Sequence, residues 1–369
     1  MPKATETVLE INLKALEHNY RYLKSKLKTS TKFMAVVKAF GYGSDAVEVS
    51  KKLVKLNVDY LAVAYVKEGV ALREGGIKTP ILVLHPQAVN FETLIEYELE
   101  PSLYSPKILN AFLQVAQKQN IAAYPIHIKF NTNLNRLGFG ENDVNYIAQQ
   151  IEQNTSVKVA SIFSHLAASE DAKEKEFTTN QITVFEKIAK EMDEKLGYTP
   201  LKHILNTSGI INYPEAQYDI VRSGIGLSGF GNDAAIDQEL HPVATLKTII
   251  SQLHKIAPNE SVGYNRDFKS EGEKVTATLP LGHADGIRRQ YGNNKIAVSV
   301  NGKKAPIIGN VCMDMIMIDV TGIDCKEGDE VIVFGKNPTA EEFAHAGNTI
   351  SYELLTGISQ RVKRVYTNA

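Results

Sequence analysis

The chain has 369 residues, 43% hydrophobic and 22% charged, which is the composition of a folded protein large enough for more than one core. Its 41 basic and 42 acidic side chains give a net charge of -1, so no long-range field favours nucleic acid or an anionic membrane. No apolar run approaches the roughly 20 residues of a bilayer-spanning helix, the first residues do not read as a secretory signal, and the two cysteines form neither a metal-binding spacing nor a disulfide framework. We expect a cytoplasmic protein with no nucleic-acid partner, no membrane partner and no metal.

Up to about residue 230, short apolar runs alternate with segments whose apolar residues recur every three or four positions. The strand candidates are FMAVV, DYLAVA, PILVLH, PSLYS, YPIHIKF, VKVASIFSH, LKHILN and YDIVRSG. Helical patterns between them include DAVEVSKKLVKL, PKILNAFLQVAQKQN and TNQITVFEKIAKEMDEKLG. Eight strands separated by helices favour a (β/α)8 TIM barrel over a doubly wound sheet, although periodicity alone does not decide closure.

After about residue 240, β-branched runs bounded by Gly, Asn, Asp and Pro replace this alternation. The runs are HPVATLKTIISQLHKI, KVTATLPLG, KIAVSVNG, KAPIIGNV, MIMIDV and EVIVFG, with only one short helical pattern, ISYELLTGIS. We therefore expect a barrel domain over residues 1–238 and a mainly β C-terminal domain over residues 239–369. A strand over residues 7–13 is a candidate to pack on the second domain.

Lys38 is the first residue that suggests chemistry. It ends the apolar run FMAVV and precedes AFGYGSD, so its ammonium passes from a buried strand into a glycine-rich turn. Burial lowers the pKa of a lysine and makes it a nucleophilic amine, which can condense with an aldehyde such as pyridoxal 5'-phosphate (PLP). An isolated lysine at the end of a strand more often extends its ammonium back to solvent. Whether Lys38 is a nucleophile therefore depends on the other residues at the site.

Polar side chains follow several of the predicted barrel strands, where the catalytic residues of a barrel lie. They are Lys38, His85, Lys129, Arg136, His165, Asn206, Thr207, Ser208 and Arg222. A lone histidine is more often a core residue and a lone arginine more often a structural ion pair. The common placement, with the glycine-rich turn SGIGLSGF at residues 223–230, favours an anion-binding site, although that turn is a weak signal alone.

The β-rich region contributes Tyr264 in GYNRDF and Asp314 in NVCMDM. A tyrosine usually packs with its hydroxyl at the surface. A carboxylate among apolar neighbours is expected to be buried and to need a partner. Asp314 is therefore the more informative of the two.

Ordered motifs run almost from end to end: EINLKALEHNY, VVKAFGYGSDA, NRLGF, SHLAASE, VRSGIGLSGF, HPVATLKT, VGYNRDF, LPLGHADGIRR, GNVCMDMIMIDVT and SYELLTGISQRVKRVY. With these motifs the chain resembles the alanine racemase family, PLP-dependent enzymes with a (β/α)8 barrel and a C-terminal β-domain. The resemblance implies conversion of L-alanine to D-alanine for peptidoglycan synthesis.

The resemblance also implies two catalytic bases. Lys38 is the cofactor-linked base, and Tyr264 is the second base, which comes from the neighbouring subunit. Racemisation needs bases on opposite faces, because one removes the α proton and the other returns a proton from the far side. A homodimer with shared active sites follows.

The remaining site residues are likewise implied by the resemblance. The cofactor-binding positions beside Lys38 are Tyr42, His165, Thr207 or Ser208, Arg222, Gly224, Ile225 and Tyr352. Arg222 faces the pyridine nitrogen and His165 bonds Arg222. Arg136 and the backbone N–H of Met313 bind the substrate carboxylate. Lys129, which is carbamylated in some members, supports Arg136, and Asp314 lies beside the tyrosine.

This chain departs from the usual pattern at several positions. The turn after the lysine usually reads ANAYGHG, whereas here it reads AFGYGSD, with Phe40 and Ser44 in unusual places. Asn135 and Asn310 replace residues that are more often Gly and Arg. NTSG replaces NSA, so the phosphate-binding hydroxyl is either Thr207 or Ser208. Every proposed chemical group remains present, so these departures concern cofactor contacts and substrate range and not the class of reaction.

Three other readings stay open. A broader-specificity racemase of the same fold is the nearest, because one methylene is worth only about 1–3 kcal/mol of discrimination. A non-catalytic PLP-binding barrel would have little use for the domain that carries Tyr264. A related decarboxylase of basic amino acids would use a reactive cysteine such as Cys312, but it would place an acid, not Arg222, at the pyridine nitrogen.

Overall fold

The structure, a computed structural model, describes residues 3–231 and 234–368. The chain divides into two compact units. The barrel unit contains Glu17–Gly41 and Ala46–Leu240. The sheet unit contains Met1–Leu16, Tyr42–Asp45 and His241–Ala369.

The described strands are numbered in chain order. They are β1 Val8–Asn12, β2 Lys32–Val36, β3 Tyr60–Val63, β4 Ile81–Val83, β5 Glu100–Leu103, β6 Tyr124–Lys129, β7 Val157–Phe163, β8 Leu201–His203, β9 Ile220–Ser223, β10 Ala244–Ile249, β11 Gln252–Ile256, β12 Ser261–Val262, β13 Phe268–Lys269, β14 Lys274–Leu279, β15 Ala297–Val300, β16 Lys303–Ile308, β17 Ile316–Asp319, β18 Glu330–Phe334 and β19 Lys363–Thr367. Strands β2 to β9 belong to the barrel unit, and the others belong to the sheet unit.

The barrel unit is an eight-stranded parallel sheet in the order β8-β7-β6-β5-β4-β3-β2-β9. Each of the eight apolar runs identified in the sequence forms one of these strands. Strands β8 and β9 at the two ends share no continuous ladder, but Asp219 N–H donates to the Lys202 carbonyl and Arg222 N–H to the Leu205 carbonyl, both at 3.1 Å. The sheet is therefore a nearly closed barrel, and the predicted fold class is confirmed.

Helices connect the strands. In the described residues, the right-handed α-helices that begin before residue 240 are Leu13–Ser25, Ala46–Lys55, Val66–Glu74, Phe91–Glu96, Pro106–Lys118, Val144–Glu152, Lys175–Leu196, Thr207–Asn212 and Ala234–Asp237. Local chemistry sets their limits: Ser105 caps one helix by accepting from Ile108 N–H, and Gly197, with a φ of 69°, ends another. In the described ranges, no helix combines the length and the apolar character needed to cross a membrane.

The interior of the barrel has an apolar half and a polar half. Alternate residues of a barrel strand face the interior. On β2, β3, β4 and β9 these positions form a fully buried apolar cluster of Met34, Ala62, Leu82 and Ile220. On β5 to β8 the buried residues include Glu100, His127, Ser161 and His203.

The sheet unit contains a nine-stranded sheet in the order β11-β14-β17-β16-β15-β18-β10-β1-β19. The N-terminal strand β1 lies inside it, antiparallel to β10 and parallel to β19, with Val8 opposite Lys247 on one side and Lys363 on the other. Strands β12 and β13 form a separate hairpin.

One expectation about the second region was wrong, because two helices are present, Ala340–Ala346 and Ser351–Gly357. The first begins with a capping box in which Glu342 N–H donates to Thr339 Oγ1 at 3.0 Å and Thr339 N–H donates to the Glu342 carboxylate at 2.8 Å. A threonine followed three residues later by glutamate is the sequence signature of this cap. The motif stabilises a helix too short to show a clear apolar period.

Candidate active site

The chain turns left-handed directly after Lys38. Ala39, Phe40 and Gly41 have φ values of 52°, 55° and 63°. This conformation costs an L-residue roughly 1–2 kcal/mol but costs glycine little. Phe40 stands where asparagine, which tolerates the conformation, is usual, and Gly41 stands where alanine is usual. The strain at Phe40 is thus partly offset at its neighbour, and the strained backbone directly adjoins the candidate catalytic lysine.

The Glu68 carboxylate holds this turn. Its Oε1 accepts from Ala39 N–H at 2.6 Å, and its Oε2 accepts from Ala64 N–H at 2.7 Å and from Tyr65 N–H at 3.2 Å. One side chain therefore joins the turn after β2 to the segment that follows β3. The sequence did not single out Glu68, because a glutamate in the first turn of a helix is common as a cap.

Four cationic side chains gather at the ends of the barrel strands and form the cationic cluster: Lys38, Lys129, Arg136 and Arg222. Burial lowers the pKa of Lys38, with Arg136 and Arg222 adding to the effect and Glu68 opposing it. Burial, followed by Arg136, Arg222 and Lys38, lowers the pKa of Lys129 to about 8. Like charges at such proximity are unfavourable unless a lysine loses its proton or an anion binds. The cluster therefore favours neutral amines and an anionic ligand.

Arg222 is almost fully enclosed, at 4% exposure. Its Nη2 donates to the Ser164 carbonyl at 2.7 Å, to the Ile204 carbonyl at 3.1 Å and to His165 Nδ1 at 3.2 Å. Its Nη1 donates to His203 Nδ1 at 2.5 Å. Burial lowers the pKa of Arg222 to about 9, so the group remains a cation at neutral pH. No acceptor for Nε–H is found among the residues that the structure describes, which leaves a donor for a ligand.

His165 follows β7 at the rim of the barrel. Burial, and then Arg222, hold its pKa well below the usual histidine value. A neutral ring can accept from Arg222 through Nδ1 and carry its proton on Nε2. The predicted pairing of His165 with Arg222 is therefore present as a contact in the structure.

Phe163 is a site residue that the sequence did not reveal. Its ring stacks on His203 with a centroid separation of 4.7 Å, and the Arg222 guanidinium carbon lies 5.4 Å from its centroid. Lys129 Nζ lies 5.9 Å from the same centroid. An aromatic face attracts cations, so Phe163 supports both cationic groups. His85, also at a strand end, packs its ring between Tyr65 and Tyr104.

A pair of asparagines shapes the loop before Arg136. Asn135 N–H donates to Asn131 Oδ1, and Asn131 Nδ2 donates to Asn135 Oδ1, both at 2.9 Å. Asn135 has a φ of 54°, a left-handed conformation in which glycine is favoured and asparagine is tolerated. The two hydrogen bonds explain how asparagine replaces the more usual glycine here. Arg136 itself is exposed in the single chain.

The two candidate phosphate hydroxyls have different surroundings. Thr207 Oγ1 lies 3.0 Å from Ser223 Oγ and accepts weakly from Gly226 N–H at 3.4 Å. Ser208 Oγ instead donates to the Gly231 carbonyl at 3.2 Å. A Cβ on residue 226 would come within 2.5 Å of Thr207 Cγ2, so only glycine allows this approach. The geometry therefore favours Thr207 as the hydroxyl beside the turn.

The turn after β9 and two tyrosines offer further donors. Gly224 and Ile225 are buried, and neither backbone N–H has a recorded partner within residues 3–231 and 234–368. In the sheet unit, the rings of Tyr42 and Tyr352 pack with centroids 6.2 Å apart. Burial raises the pKa of Tyr42, so its hydroxyl keeps its proton and can donate.

Tyr264 lies at the tip of the β12–β13 hairpin and is 67% exposed. Left-handed residues surround it, with φ values of 78° at Gly263 and 61° at Asn265. Asn310 Nδ2 donates to the Tyr264 carbonyl at 3.2 Å and so braces the turn. A concavity of about 510 Å³ has both Tyr264 and Met313 in its wall. For the Met313 N–H, the described part of the chain provides no hydrogen-bond partner.

The expectation that Asp314 is buried was wrong, since its side chain is 57% exposed. It does have a partner, because Arg361 Nη2 donates to its Oδ1 at 2.6 Å, and Arg361 also bonds Asp285. Met313 and Met315 on either side are themselves exposed. The apolar run that suggested burial is thus a surface bend before β17. Asp314 lines the same concavity as Tyr264.

Comparison with known proteins gives a consistent result. The model described as "Alanine racemase, N-terminal domain" matches residues 11–231, and "Alanine racemase, C-terminal domain" matches residues 243–366. An alanine racemase of Thermodesulfovibrio yellowstonii is 38% identical over 365 residues, covering 97% of this chain and 96% of the relative.

Two solved structures show the same similarity. The alanine racemase of Clostridium difficile 630 has a TM-score of 0.93 and 33% identity, covering 99% of this chain and 97% of that chain. The alanine racemase of Bartonella henselae with covalently bound pyridoxal phosphate has a TM-score of 0.89 and 28% identity, covering 99% and 100%.

Proposed function

Since the chain belongs to the alanine racemase family, we propose that it interconverts L- and D-alanine with PLP as cofactor. The observation that carries the proposal is the cationic cluster, in which Lys38 has a lowered pKa and Arg222 keeps a donor available. The D-alanine serves peptidoglycan synthesis, and the protein acts in the cytoplasm.

The residues present fit the cofactor. Lys38 supplies the amine for the aldehyde, and the Arg222 Nε–H suits an unprotonated ring nitrogen. The groups assigned to the phosphate are the N–H groups of Gly224 and Ile225 and the hydroxyls of Thr207, Tyr42 and Tyr352. When bound, PLP supplies an electron sink for the substrate Cα. With the cofactor bound, Arg222 would donate to the ring nitrogen without giving up its proton, which would limit the strength of that sink and disfavour transamination.

Two residues exchange the proton at Cα. The lowered pKa of Lys38 favours its neutral form, and the neutral amine is the form that can remove or return a proton on one face. Tyr264 of the partner subunit performs the same task on the other face. Arg136 and the Met313 N–H bind the substrate carboxylate, which brings a negative charge to the cationic residues.

The second base requires a homodimer with shared sites. Tyr264, Met313 and Met315 are large side chains that are exposed together in the sheet unit, at the concavity described above. An exposed apolar patch of this kind indicates a protein interface. Its occupant is a second copy of this chain, related by twofold symmetry.

Lys129 is the proposed carbamylation site. With a pKa of about 8, an appreciable fraction of its side chain is neutral at mildly alkaline pH. A neutral amine adds CO2 and releases one proton to form a carbamate. The resulting negative charge suits the neighbouring Arg136 better than an ammonium does.

The test is incubation of the purified protein with PLP and L-alanine in D2O, followed by chiral analysis. We expect D-alanine that carries deuterium at Cα. Lys38→Ala should abolish both the product and the visible absorbance of covalently bound cofactor. An unchanged visible spectrum in that variant would overturn the assignment. L-serine in a parallel reaction reports the width of the substrate pocket.

A further inference from the structure

The polar half of the barrel interior is a continuous hydrogen-bonded chain that ends at the active-site arginine. His203 Nδ1 accepts from Arg222, and His203 Nε2 lies 2.9 Å from Ser161 Oγ. Ser161 Oγ lies 2.6 Å from His127 Nδ1. On the far side of that ring, His127 Nε2 lies 2.6 Å from the Glu100 carboxylate. We call these residues the interior chain.

The direction of every proton in the interior chain follows from its two ends. Arginine can only donate, so His203 must accept at Nδ1 and carry its proton on Nε2. That proton points at Ser161 Oγ, so the Ser161 hydroxyl can donate onward to His127 Nδ1. His127 then carries its own proton on Nε2 and donates to Glu100. An ionised carboxylate can only accept, so the order ends there without a conflict.

Reversal of either histidine opposes like groups: two donors between His203 and Arg222, or two acceptors between His127 and Glu100. If His203 carried its proton on Nδ1, that N–H would oppose an Arg222 N–H across 2.5 Å. The Tyr60 hydroxyl adds a donor to the Glu100 carboxylate at 3.3 Å, which also requires Glu100 to accept. Burial, followed by Arg222, holds the pKa of His203 well below its usual value, in agreement with a neutral ring.

A fully hydrogen-bonded polar core would stabilise the barrel whichever way its protons point, but the inferred proton order does more. It presents a lone pair of His203 to one guanidinium nitrogen, while the Ser164 and Ile204 carbonyls hold the other. The guanidinium plane is then fixed from two sides, which also fixes the direction of Nε–H.

We propose that the interior chain positions Arg222 for the cofactor ring, with Glu100 as its terminal acceptor. This inference rests on the proposed function, because that function assigns Arg222 to the pyridine nitrogen. Glu100, His127 and Ser161 are positioning residues, since none contacts the cofactor site directly and all act through His203.

The proton order is tested first in the full chain without cofactor. Nitrogen-15 NMR of histidine-labelled protein distinguishes the protonated from the unprotonated ring nitrogen, and single His→Gln variants assign the signals. We expect His203 to be neutral at pH 7 with its proton on Nε2, and we expect the Nε2 of His127, which faces Glu100, to carry a proton. A proton on Nδ1 of His203, or a doubly protonated His203, would overturn the proposal whether or not the chain racemises alanine.

Coupling to the cofactor is tested with Ser161→Ala, which interrupts the interior chain. Its matched control is Ser102→Ala, because Ser102 is a buried serine on β5 whose Oγ has no hydrogen-bond partner in the described residues. For Ser161→Ala we expect PLP to bind about tenfold more weakly, equivalent to ~1.4 kcal/mol, and kcat to fall with KM for alanine within about twofold. For Ser102→Ala we expect both values within about twofold of wild type.

Equal PLP affinity in the two serine variants would refute the positioning role. If Ser161→Ala does not fold, Glu100→Gln replaces it, with an expected weakening of several-fold and the same refuting result. A wild-type protein that neither binds PLP nor racemises alanine would instead refute the proposed function, and the NMR result would still decide the proton order.

Discussion

Replacement of Glu68 by glutamine should destabilise the turn that follows Lys38 and lower the pKa of that lysine. The amide keeps one acceptor oxygen but turns the other acceptor into a donor. If the remaining oxygen stays with Ala64 and Tyr65, the new NH2 group faces the Ala39 N–H, and a 2.6 Å hydrogen bond becomes a contact between donors.

The magnitude follows from the contacts at the turn. A hydrogen bond to a charged group contributes about 1.5–3 kcal/mol, and the lower end applies because Glu68 is only partly buried. Ala39, Phe40 and Tyr42 have φ values of 52°, 55° and 53°. Each left-handed residue costs roughly 1–2 kcal/mol, so the backbone of this turn is strained and relaxes readily when a hydrogen bond that holds it is lost. We expect Glu68→Gln to lower the free energy of unfolding by about 1–2 kcal/mol.

The effect on Lys38 has a definite sign. The Glu68 charge raises the pKa of Lys38 against burial and two arginines, so its removal must lower that pKa further. The assay is pH-dependent reductive methylation of Lys38 in the cofactor-free protein, combined with urea unfolding. Glu74→Gln is the matched control, because it makes the same change at an exposed position of the same helix. A Lys38 pKa that is unchanged or higher in Glu68→Gln would refute the reasoning.

Three further predictions concern other groups of the site. The side chain of Lys129 binds its proton less tightly in the folded protein than in the unfolded chain. This group therefore makes the free energy of unfolding rise between about pH 8 and the ordinary lysine pKa of 10.5, by roughly 3 kcal/mol in all. Lys129→Met should remove that rise, as measured by urea unfolding at a series of pH values in CO2-free buffer. Tyr264→Phe should slow deuterium uptake from one alanine enantiomer more than from the other. Asn310→Ala removes the donor to the Tyr264 carbonyl and should lower kcat several-fold, with a loss of about 1 kcal/mol in unfolding free energy.

Each of these predictions has a contradicting result. The same pH dependence of stability in Lys129→Met and wild type would show that Lys129 titrates normally in the folded protein. Equal slowing of deuterium uptake from both enantiomers would remove the one-sided role of Tyr264. An Asn310→Ala variant with unchanged kcat would show that the hairpin holds Tyr264 without this hydrogen bond.

The barrel strands were predictable because each is a short apolar run between amphipathic helices, and a buried parallel strand requires that pattern. Lys38, Lys129 and Arg222 could be placed at one rim because barrel geometry gathers the C-terminal ends of strands. Asp314 shows the limit of this reasoning. Its apolar neighbours suggested burial, but the exposed methionines beside it lie on a surface that a single sequence does not distinguish from a core.

Contacts between distant side chains were beyond the sequence. His127 and Ser161 occupy inward positions of neighbouring strands, yet only the register of β6 and β7 places His127 opposite Ser161. Glu68 resembled an ordinary helix cap, and its hydrogen bond to Ala39 depends on how the loop after β3 meets the turn after β2. Such contacts depend on three-dimensional proximity rather than on local periodicity.

The position of β1 has a consequence for the order of folding. Its residue Val8 pairs with Lys247 of β10 and Lys363 of β19. In the sequence, all eight barrel strands lie after β1 and before both of these partner strands. During synthesis β1 therefore leaves the ribosome early and must wait, with both edges unsatisfied, until β10 and then β19 have been made. An unpaired strand is prone to aggregation, so we expect the yield of correctly folded protein to rise when the downstream segment is completed rapidly or a chaperone protects β1.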